Sequence, residues 1–511
     1  MELYRHLELK ETYDVIVVGG GPSGFIAAIA AARTGAKTLL VERYGFLGGM
    51  ATAASLGPIS PFHFGDEQVV EGIPQEFVDR LVEAGGSTGH MKCTNPHGSG
   101  SYLCFYDHQF YKWIALQMVL EAGVTPLFHS FLGDVIVEHN RVKGIVAVNK
   151  SGYQVYHAKV VVDASGDGDV AARAGAPFVL GREEDKLLQP ITMMFDMGNV
   201  GASVLKEYMD THLEDFEWAS ECVAVRPIPE RLRHDYFVAQ GFKDAISHAR
   251  DSNELYLGRD TILFLTTVHP GVFHFNSTRV VNINGTRVED LTRGEIDARQ
   301  QVMSLSSFLI KRVPGFENAY LQNTGIQVGV RESRHILGEY ILTGEDVQGG
   351  VKHPDVVARG YFPIDIHNLK GSAGYYPGQG VWADLDDSYD IPYRCLVPRN
   401  LDALVVAGRA ISATHEAHGS FRTQGGVMAI GQAAGTAAGL SALAEIQPRE
   451  LDVKTLQDRL LHDGASLRRD PEKVQRQYER AQAAVEQALA DGSITGLYMN
   501  DSHASAHRPR L

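Results

Sequence analysis

The sequence predicts an α/β fold: a mainly parallel sheet with a β-meander, a large α+β insertion and a helical C-terminal extension. Three observations predict it. Residues 13–42, YDVIVVGGGPSGFIAAIAAARTGAKTLLVE, read in unbroken order as strand, glycine turn, helix, strand and terminal acid. Residues 134–164 hold three β-rich runs (DVIVE, RVKGIVAVN, YQVYHAKVVVDA) with turn signals at His139-Asn140 and Ser151-Gly152. Far downstream, LDALVVAGRAIS at 401–412 returns to the apolar style of the first strand.

The opening unit is the most specific. Val15 to Val18 is β-branched and apolar, as a strand buried on both faces would be. Gly19, Gly21 and Gly24 follow as G-x-G-x-x-G. The first glycine makes the tight turn, the second lets backbone approach a pyrophosphate, and the third lets helix and strand pack closely. The small residues Ala27 to Ala32 suit a helix lying against a sheet. The second strand ends on Glu42, an acid placed to bind ribose hydroxyls and to repel a 2′-phosphate. This is a Rossmann-like nucleotide fingerprint, and at this point FAD and NAD both remain open.

The rest of the chain divides around it. Residues 12–186 form the first part of the nucleotide domain, which includes the apolar glycine turn RYGFLGGMATAA after Glu42 and the strand exit DASGDGD at 163–169. Residues 187–390 mix helical and β patterns and read as an inserted substrate or cap domain; 391–447 complete the nucleotide domain. Residues 448–511 read as surface helices and a loose tail.

Composition excludes several classes. A net charge of −15 and the lack of a basic run argue against nucleic-acid binding. Four cysteines far apart in sequence form no C-x-x-C, so iron–sulfur, structural zinc and dithiol chemistry are not expected, and the pattern fits a reducing compartment. MELYRHLELKE lacks signal-peptide form. Gly425–Ala444 is uncharged and carries Gly431, Gly435 and Gly439 in GxxxG spacing, but it is mostly Gly and Ala, which favours tight packing over a membrane span. These features lead us to expect a soluble cytoplasmic protein. His415 and His418 lie three apart, but H-E-x-x-H is absent and no third ligand is evident, so no metal is expected. His63, His90, His97 and His108 read singly as loop histidines; Tyr375, Tyr376 and Trp382 suit either a ring stack or the core of the insertion.

The order of elements separates the cofactors. An NAD enzyme would complete six strands by βαβ units, whereas here a meander interrupts the sheet and the domain closes late. This organisation resembles the FAD-binding fold of glutathione-reductase-like flavoproteins, and more closely the FAD-dependent oxidoreductase family distantly akin to fumarate-reductase-type flavoproteins. The motifs that carry the resemblance are GGGPSG with Glu42, GFLGGMAT at 45–52, DASGDGD, GVRESRHI at 329–336, FPIDIH at 362–367, AGRAISATHEAHGSFR at 407–422 and GQAAGTAA at 431–438. It implies FAD held by Gly19, Gly21, Pro22, Ser23 and Gly24; by Glu42 and Arg43; by Gly48, Gly49, Met50 and Ala51; and by Val135, Ala164, Ser165 and Gly166. It adds Gly408 and Arg409, and Gly425, Gly426 and Val427 at the start of an uncharged helix whose N-terminus would stabilise reduced flavin. That helix is expected to lie with its GxxxG face beneath the cofactor. Habits of large flavoenzymes suggest a homo-oligomer.

One fingerprint in 511 residues leaves no NAD(P) domain, so a small organic substrate is expected to exchange a hydride with flavin N5 directly, with oxygen or a carrier as the other redox partner. A flavin monooxygenase is the alternative, disfavoured by Ala407-Gly408-Arg409 where a G-D motif is usual; a non-catalytic flavin-binding protein is the second alternative. A proton acceptor and a substrate anchor are needed where the insertion meets the flavin. The candidates are His415, His418 and His367 for the proton, and Arg331 and Arg334, three apart and expected to share a helix face, for the anchor. Both arginines could instead tie the insertion to the nucleotide domain.

Overall fold

The computed structural model describes residues 7–95, 102–371 and 381–497. Two sheets organise it, each of eight strands among the described residues. Seven strands of the first are β1 (Tyr13–Val18), β2 (Thr38–Val41), β3 (Thr125–Leu127), β4 (Phe131–Glu138), β5 (Arg141–Asn149), β6 (Gly152–Asp163) and β7 (Leu404–Val406). β3, β2, β1 and β6 are parallel neighbours, and β5 and β4 fold back antiparallel beyond them. The long β6 joins the two halves. Its first part pairs with β5, and its last residues, Val161 to Asp163, pair with β7. Val160, Val161 and Val162 are almost fully buried, as a strand covered on both faces demands. The expected meander and the late-returning strand are both present.

Three helices set the site: α1 (Pro22–Arg33), α2 (His415–Phe421) and α3 (Gln424–Ala444). α1 and α3 touch backbone to backbone. A Cβ at Gly431 would collide with the Ser23 carbonyl, one at Gly435 with the Ala27 carbonyl, and one at Gly439 with the Thr34 hydroxyl. The contact numbers rise together along both helices, so α1 and α3 run parallel with their N-termini at the same end. α3 begins at Gln424, beyond the level of Ser23 by roughly 10 Å at 1.5 Å per residue. This corrects the expectation that the GxxxG face lies beneath the cofactor: α1 occupies that face, and only the first turn of α3 is left to meet a ligand. α3 is long and apolar enough to span a membrane, but 78% of its apolar window is buried inside the protein, as in a core helix.

The second sheet is antiparallel and runs in the order Tyr320–Thr324, Phe195–Gly198, Phe273–Phe275, Ile262–Thr266, Tyr236–Gly241, Phe216–Ala224, Ser87–Cys93, Tyr102–Tyr106. One face carries Phe195, Met197, Phe237, Phe264, Phe273 and Phe275 against the helices Ala202–Thr211, Lys243–Asp251 and Val288–Arg312. Because side chains alternate, Asp196 and His274 project from the opposite face. The insertion therefore differs from its expected span. Two strands from before residue 187 join its sheet, while Ile336, Val356 and Tyr361 pack in the core of the nucleotide domain, well before residue 390. Sequence distance also hid a thiol pair: Cys93 and Cys222 oppose each other on adjacent strands with Sγ atoms 3.8 Å apart, both free.

The C-terminal helices Val453–His462 and Pro471–Ala490 pack back on the molecule. Ahead of the second, Arg469 shares the buried Glu67 carboxylate with Arg359, at 2.7 and 2.6 Å. His97, Tyr375, Tyr376 and the final HASAHRPRL lie outside the described residues. Trp382 stands edge-on to Phe362.

The α1–α3 packing gives a test with a decided sign. Alanine is a better helix former than glycine by about 1 kcal/mol, yet Gly435→Ala must force two helix backbones apart. The packing term wins, and chemical denaturation is expected to show a loss of about 1–3 kcal/mol.

Candidate functional site

The turn after β1 is built for a close approach. Gly19 has φ +100°, and a Cβ there or at Gly24 would collide with backbone carbonyls of Ala164 and Gly19 respectively. Gly21, by contrast, has only the Gly49 Cα near its Cβ position, at 3.8 Å. As N-cap of α1, Gly21 offers no side chain to the first amides, and Pro22 fills the position that needs no N–H. Above them Gly408 (φ +75°) lies against Ser23. Arg409 spends one guanidinium nitrogen on Asp167 at 3.1 Å, while its Nη1 and the Ser23 hydroxyl are buried with no protein partner. Asp163 fixes the exit of β6 by accepting from the Ser165 N–H and hydroxyl and the Ala171 N–H. Burial pushes its carboxyl up to about 6 against these donors. Two chain segments thus bring unsatisfied donors, the Ser23 hydroxyl and Arg409 Nη1, to the start of α1, as a pyrophosphate would require.

Glu42 is 5% exposed and accepts the Gly20 N–H at 2.7 Å on one oxygen and the Tyr44 N–H at 2.9 Å on the other. Burial raises its pKa against those two hydrogen bonds. Each oxygen keeps a lone pair for a hydroxyl. Beside it, Arg43 binds Gln327 at 2.9 Å. Gly48 and Gly49, both with positive φ, lead into the short helix Met50–Ala53, and Val135 lies half-buried in β4. Ala164, Ser165 and Gly166 form the β6 exit, where a Cβ on Gly166 would sit 2.8 Å from Arg409.

Thr423 gives the first turn of α3 no side-chain cap, and the Gly426 N–H there donates to Tyr361 Oη. A Cβ at Gly425 would meet Phe62 at 2.6 Å and collide with the Tyr361 hydroxyl, so only glycine fits beneath these rings; Gly426 and Val427 follow, both buried. Gln424 reaches Tyr106 Oη at 3.4 Å, and Tyr106 donates to the Ala51 carbonyl at 3.0 Å.

Two polar groups face this region from the second sheet and its surroundings. Asp196 and His274 are directly opposed cross-strand residues, bonded Oδ1 to Nδ1 at 2.6 Å. His274 Nε2 is buried without a partner and its ring faces His108, 6.4 Å between centroids. Burial pushes His108 down to about 4, so it is neutral. Burial alone would raise Asp196, but its hydrogen bond to His274 and the nearby imidazoles hold it below the usual carboxylate range. Sequence reasoning missed this dyad. The signal was available: each strand alternates a polar residue between apolar ones, FDM at 195–197 and FHF at 273–275.

The second group is cationic. Arg331 donates to the Pro190 carbonyl at 2.7 Å and to Thr192 Oγ1 at 2.5 Å, and approaches Asn276 Oδ1 at 3.5 Å. Arg422 binds Asp365 Oδ2 at 2.8 Å, Arg279 reaches His367 Nδ1 at 3.3 Å, and Arg259 donates to the Asn276 carbonyl. Burial first, then Arg331, Arg279, Arg259 and Arg422, hold His367 well below its ordinary value, so it is neutral. The same crowding lowers Arg331 to about 9, still protonated at neutral pH. Asn276 lies two residues beyond His274 in the same chain segment, which links the cationic group to the dyad.

Three expectations need correction. Arg331 and Arg334 share no helix: Arg331 is in irregular backbone and Arg334 opens the strand Arg334–Ile336. Arg334 points away from Arg331, to the Asp167 carbonyl and the Asp169 carboxylate, both at 2.9 Å; it ties the exit of β6 in place. His415 and His418 lie against Glu332 and His335, with His415 Nδ1 2.7 Å from Glu332. His63 is buried rather than in an open loop, stacked on Tyr102 at 4.0 Å.

Across residues 14–460 the sequence matches the family described as FAD dependent oxidoreductase. The chain belongs to that family. Its cofactor is FAD, and it is a flavin-dependent enzyme. Solved structures similar to it include a geranylgeranyl bacteriochlorophyll reductase-like protein from Thermoplasma acidophilum (14% identity, 98% of this chain and 96% of that one, TM-score 0.42). Others are the flavin-dependent brominase Bmp2 (13%, 97% and 96%, TM-score 0.44) and p-nitrophenol 4-monooxygenase from Pseudomonas putida (10%, 96% and 96%, TM-score 0.41).

The residues present fit FAD on their own chemistry. Orphaned donors on Ser23 and Arg409 surround the uncapped start of α1, and a buried acid with free lone pairs ends β2. Arg409→Ala removes one charge-assisted contact worth about 1.5–3 kcal/mol. Titration of the deflavinated protein is expected to show FAD binding weakened by about 10-fold or more, with an unchanged far-ultraviolet circular dichroism spectrum.

Proposed function

We propose that the chain is an FAD-dependent oxidoreductase that exchanges a hydride with a small organic anion, a carboxylate in the first instance, without a nicotinamide domain of its own. One observation carries this reading: Arg331, Arg422, Arg279 and Arg259 gather around His367 with Asp365 as the carboxylate among them. Among the described residues this makes a buried lining rich in guanidinium groups, and an anion is the ligand such a lining would recruit.

FAD would be held at its pyrophosphate by the amides after Gly21, Ser23 and Arg409, at its ribose by Glu42, and at its ring by the first turn of α3 with Gly48 to Ala51. When bound, it supplies N5 as acceptor or donor of the hydride. The protein does the rest. Arg331 and Arg422 hold the substrate's charged end and fix its distance from the ring. His274, oriented by Asp196 through Nδ1, presents an unpartnered Nε2 to take the proton from the substrate's hydroxyl, amine or carbon. Neutral His367 accepts a hydrogen bond beside the anion without competing for it.

The test is an anaerobic screen of the FAD-loaded protein for flavin bleaching, with each carboxylate paired to its carboxamide. The carboxylate is expected to reduce the flavin at least about 100-fold faster than its amide, because the amide loses the charge-assisted hydrogen bonds to Arg331 and Arg422. Rapid saturable reduction by NADH or NADPH, or by neutral compounds as well as by anions, contradicts the reading. With the substrate so found, His274→Ala is expected to lower the limiting rate of flavin reduction by about 10²–10⁴-fold while FAD stays bound. Asp196→Asn is expected to act in the same direction.

A further inference from the structure

A second cluster lies behind α2, and its hydrogen bonding is incomplete. Glu332, His335, His415 and His418 are 1%, 0%, 5% and 1% exposed. Glu332 Oε1 accepts from His335 Nε2 at 2.9 Å and from His415 Nδ1 at 2.7 Å, and Oε2 accepts the Gln189 N–H at 2.9 Å. His418 stands edge-on to His335, 4.7 Å between ring centroids, and neither of its ring nitrogens has a partner. A buried imidazole must carry at least one N–H and, when neutral, one lone pair, and leaving both unmatched is unfavourable. One ligand atom each from Glu332, His335 and His418 lies within 4.8 Å of the other two.

We propose that Glu332, His335 and His418 bind one divalent cation of the zinc class, with His415 as the residue that positions Glu332. A carboxylate and two imidazoles are the hard-to-borderline donor set that zinc takes. Ligands around a 2.0–2.1 Å metal sit roughly 3.3 Å apart in a tetrahedron, so the 2.9 Å separation of Glu332 and His335 needs to open by only a few tenths of an ångström as the metal replaces their shared proton. His418 gains the partner it lacks. His415 Nδ1 keeps donating to Glu332 and fixes the carboxylate, as groups behind a metal ligand commonly do. The charge is tolerable: of the nearest cations, Arg409 is paired with Asp167 and Arg422 with Asp365. The ion would clamp α2 to the strand Arg334–Ile336 and to Gln189. α2 leads directly into Thr423 and the first turn of α3, so the clamp would hold the helix end that meets the flavin. The sequence showed only the two histidines of THEAHG; the other two groups come from ESRH at 332–335, brought in by the fold.

The experiment uses the full-length FAD-loaded protein. It is stripped with a chelator, dialysed against zinc or cobalt, and assayed for metal per chain by plasma mass spectrometry and for cobalt ligand-field absorption. We expect one metal per chain, visible cobalt bands, and a melting temperature that falls on chelation. In His418→Leu the stoichiometric metal and the chelation effect are lost while the flavin spectrum is kept; in His415→Phe affinity falls by about 10–100-fold. If His418→Leu does not fold, the wild-type metal count decides alone. Less than about one metal in ten chains after zinc dialysis overturns the proposal. So does zinc that stays bound in folded His418→Leu, since it must then lie elsewhere, for instance on the histidines of the C-terminal tail.

Discussion

The constraint on which the rest depends is the backbone contact between α1 and α3. Two helices can lie this close only if one presents a stripe without side chains, and Gly431, Gly435 and Gly439 are that stripe. The contact fixes direction as well as distance. It makes the helices parallel and brings their N-termini to one end of the sheet, offset by the part of α3 that projects beyond Ser23. In the proposed binding mode one positive helix end takes the diphosphate and the other the flavin ring, with the β6 and β7 exits completing the first of these sites. Any residue larger than glycine on the stripe would separate the two ends before it touched the cofactor.

The second sheet sets the other wall through the alternation of its strands. Its phenylalanines commit one face to the helical layer, which leaves Asp196 and His274 no choice but the other face. Each is buried, and each is stabilised by the other, since an isolated carboxylate there would be raised toward neutrality and an isolated imidazole would lack an acceptor. A few residues away Arg331, Arg422, Arg279 and Arg259 crowd around His367, and burial together with these guanidiniums holds that imidazole neutral.

How much of this was legible in the sequence follows from how local each feature is. The fingerprint from Tyr13 to Glu42, the meander and the returning strand rest on spacing within short windows, and they were readable. The family resemblance followed from them, and with it FAD. The orientation of the GxxxG face was misread because a glycine stripe says that something comes close without saying what. The arginine pair of GVRESRHI was misread as helical because three-residue spacing was taken as helix periodicity in a segment that forms irregular backbone and a short strand. The dyad and the Glu332 cluster join residues separated by 78 and by 83 positions respectively. Only the register of a sheet and the docking of α2 bring them together, so no local pattern could have named the pairs, although the alternation in FDM and FHF marked the two strand positions.

In the proposed binding mode, parallel glycine-packed helices assign the two ends of FAD to two different helix N-termini. A crystal structure of the flavin-loaded protein tests that claim most directly, through the position of the flavin pyrimidine edge. This edge is expected at the amides of Gly425 and Gly426, with the pyrophosphate at Ser23 and Arg409 and the GxxxG face still covered by α1. A pyrimidine edge away from the α3 N-terminus, or a flavin ring lying against Gly431 and Gly435, would contradict it.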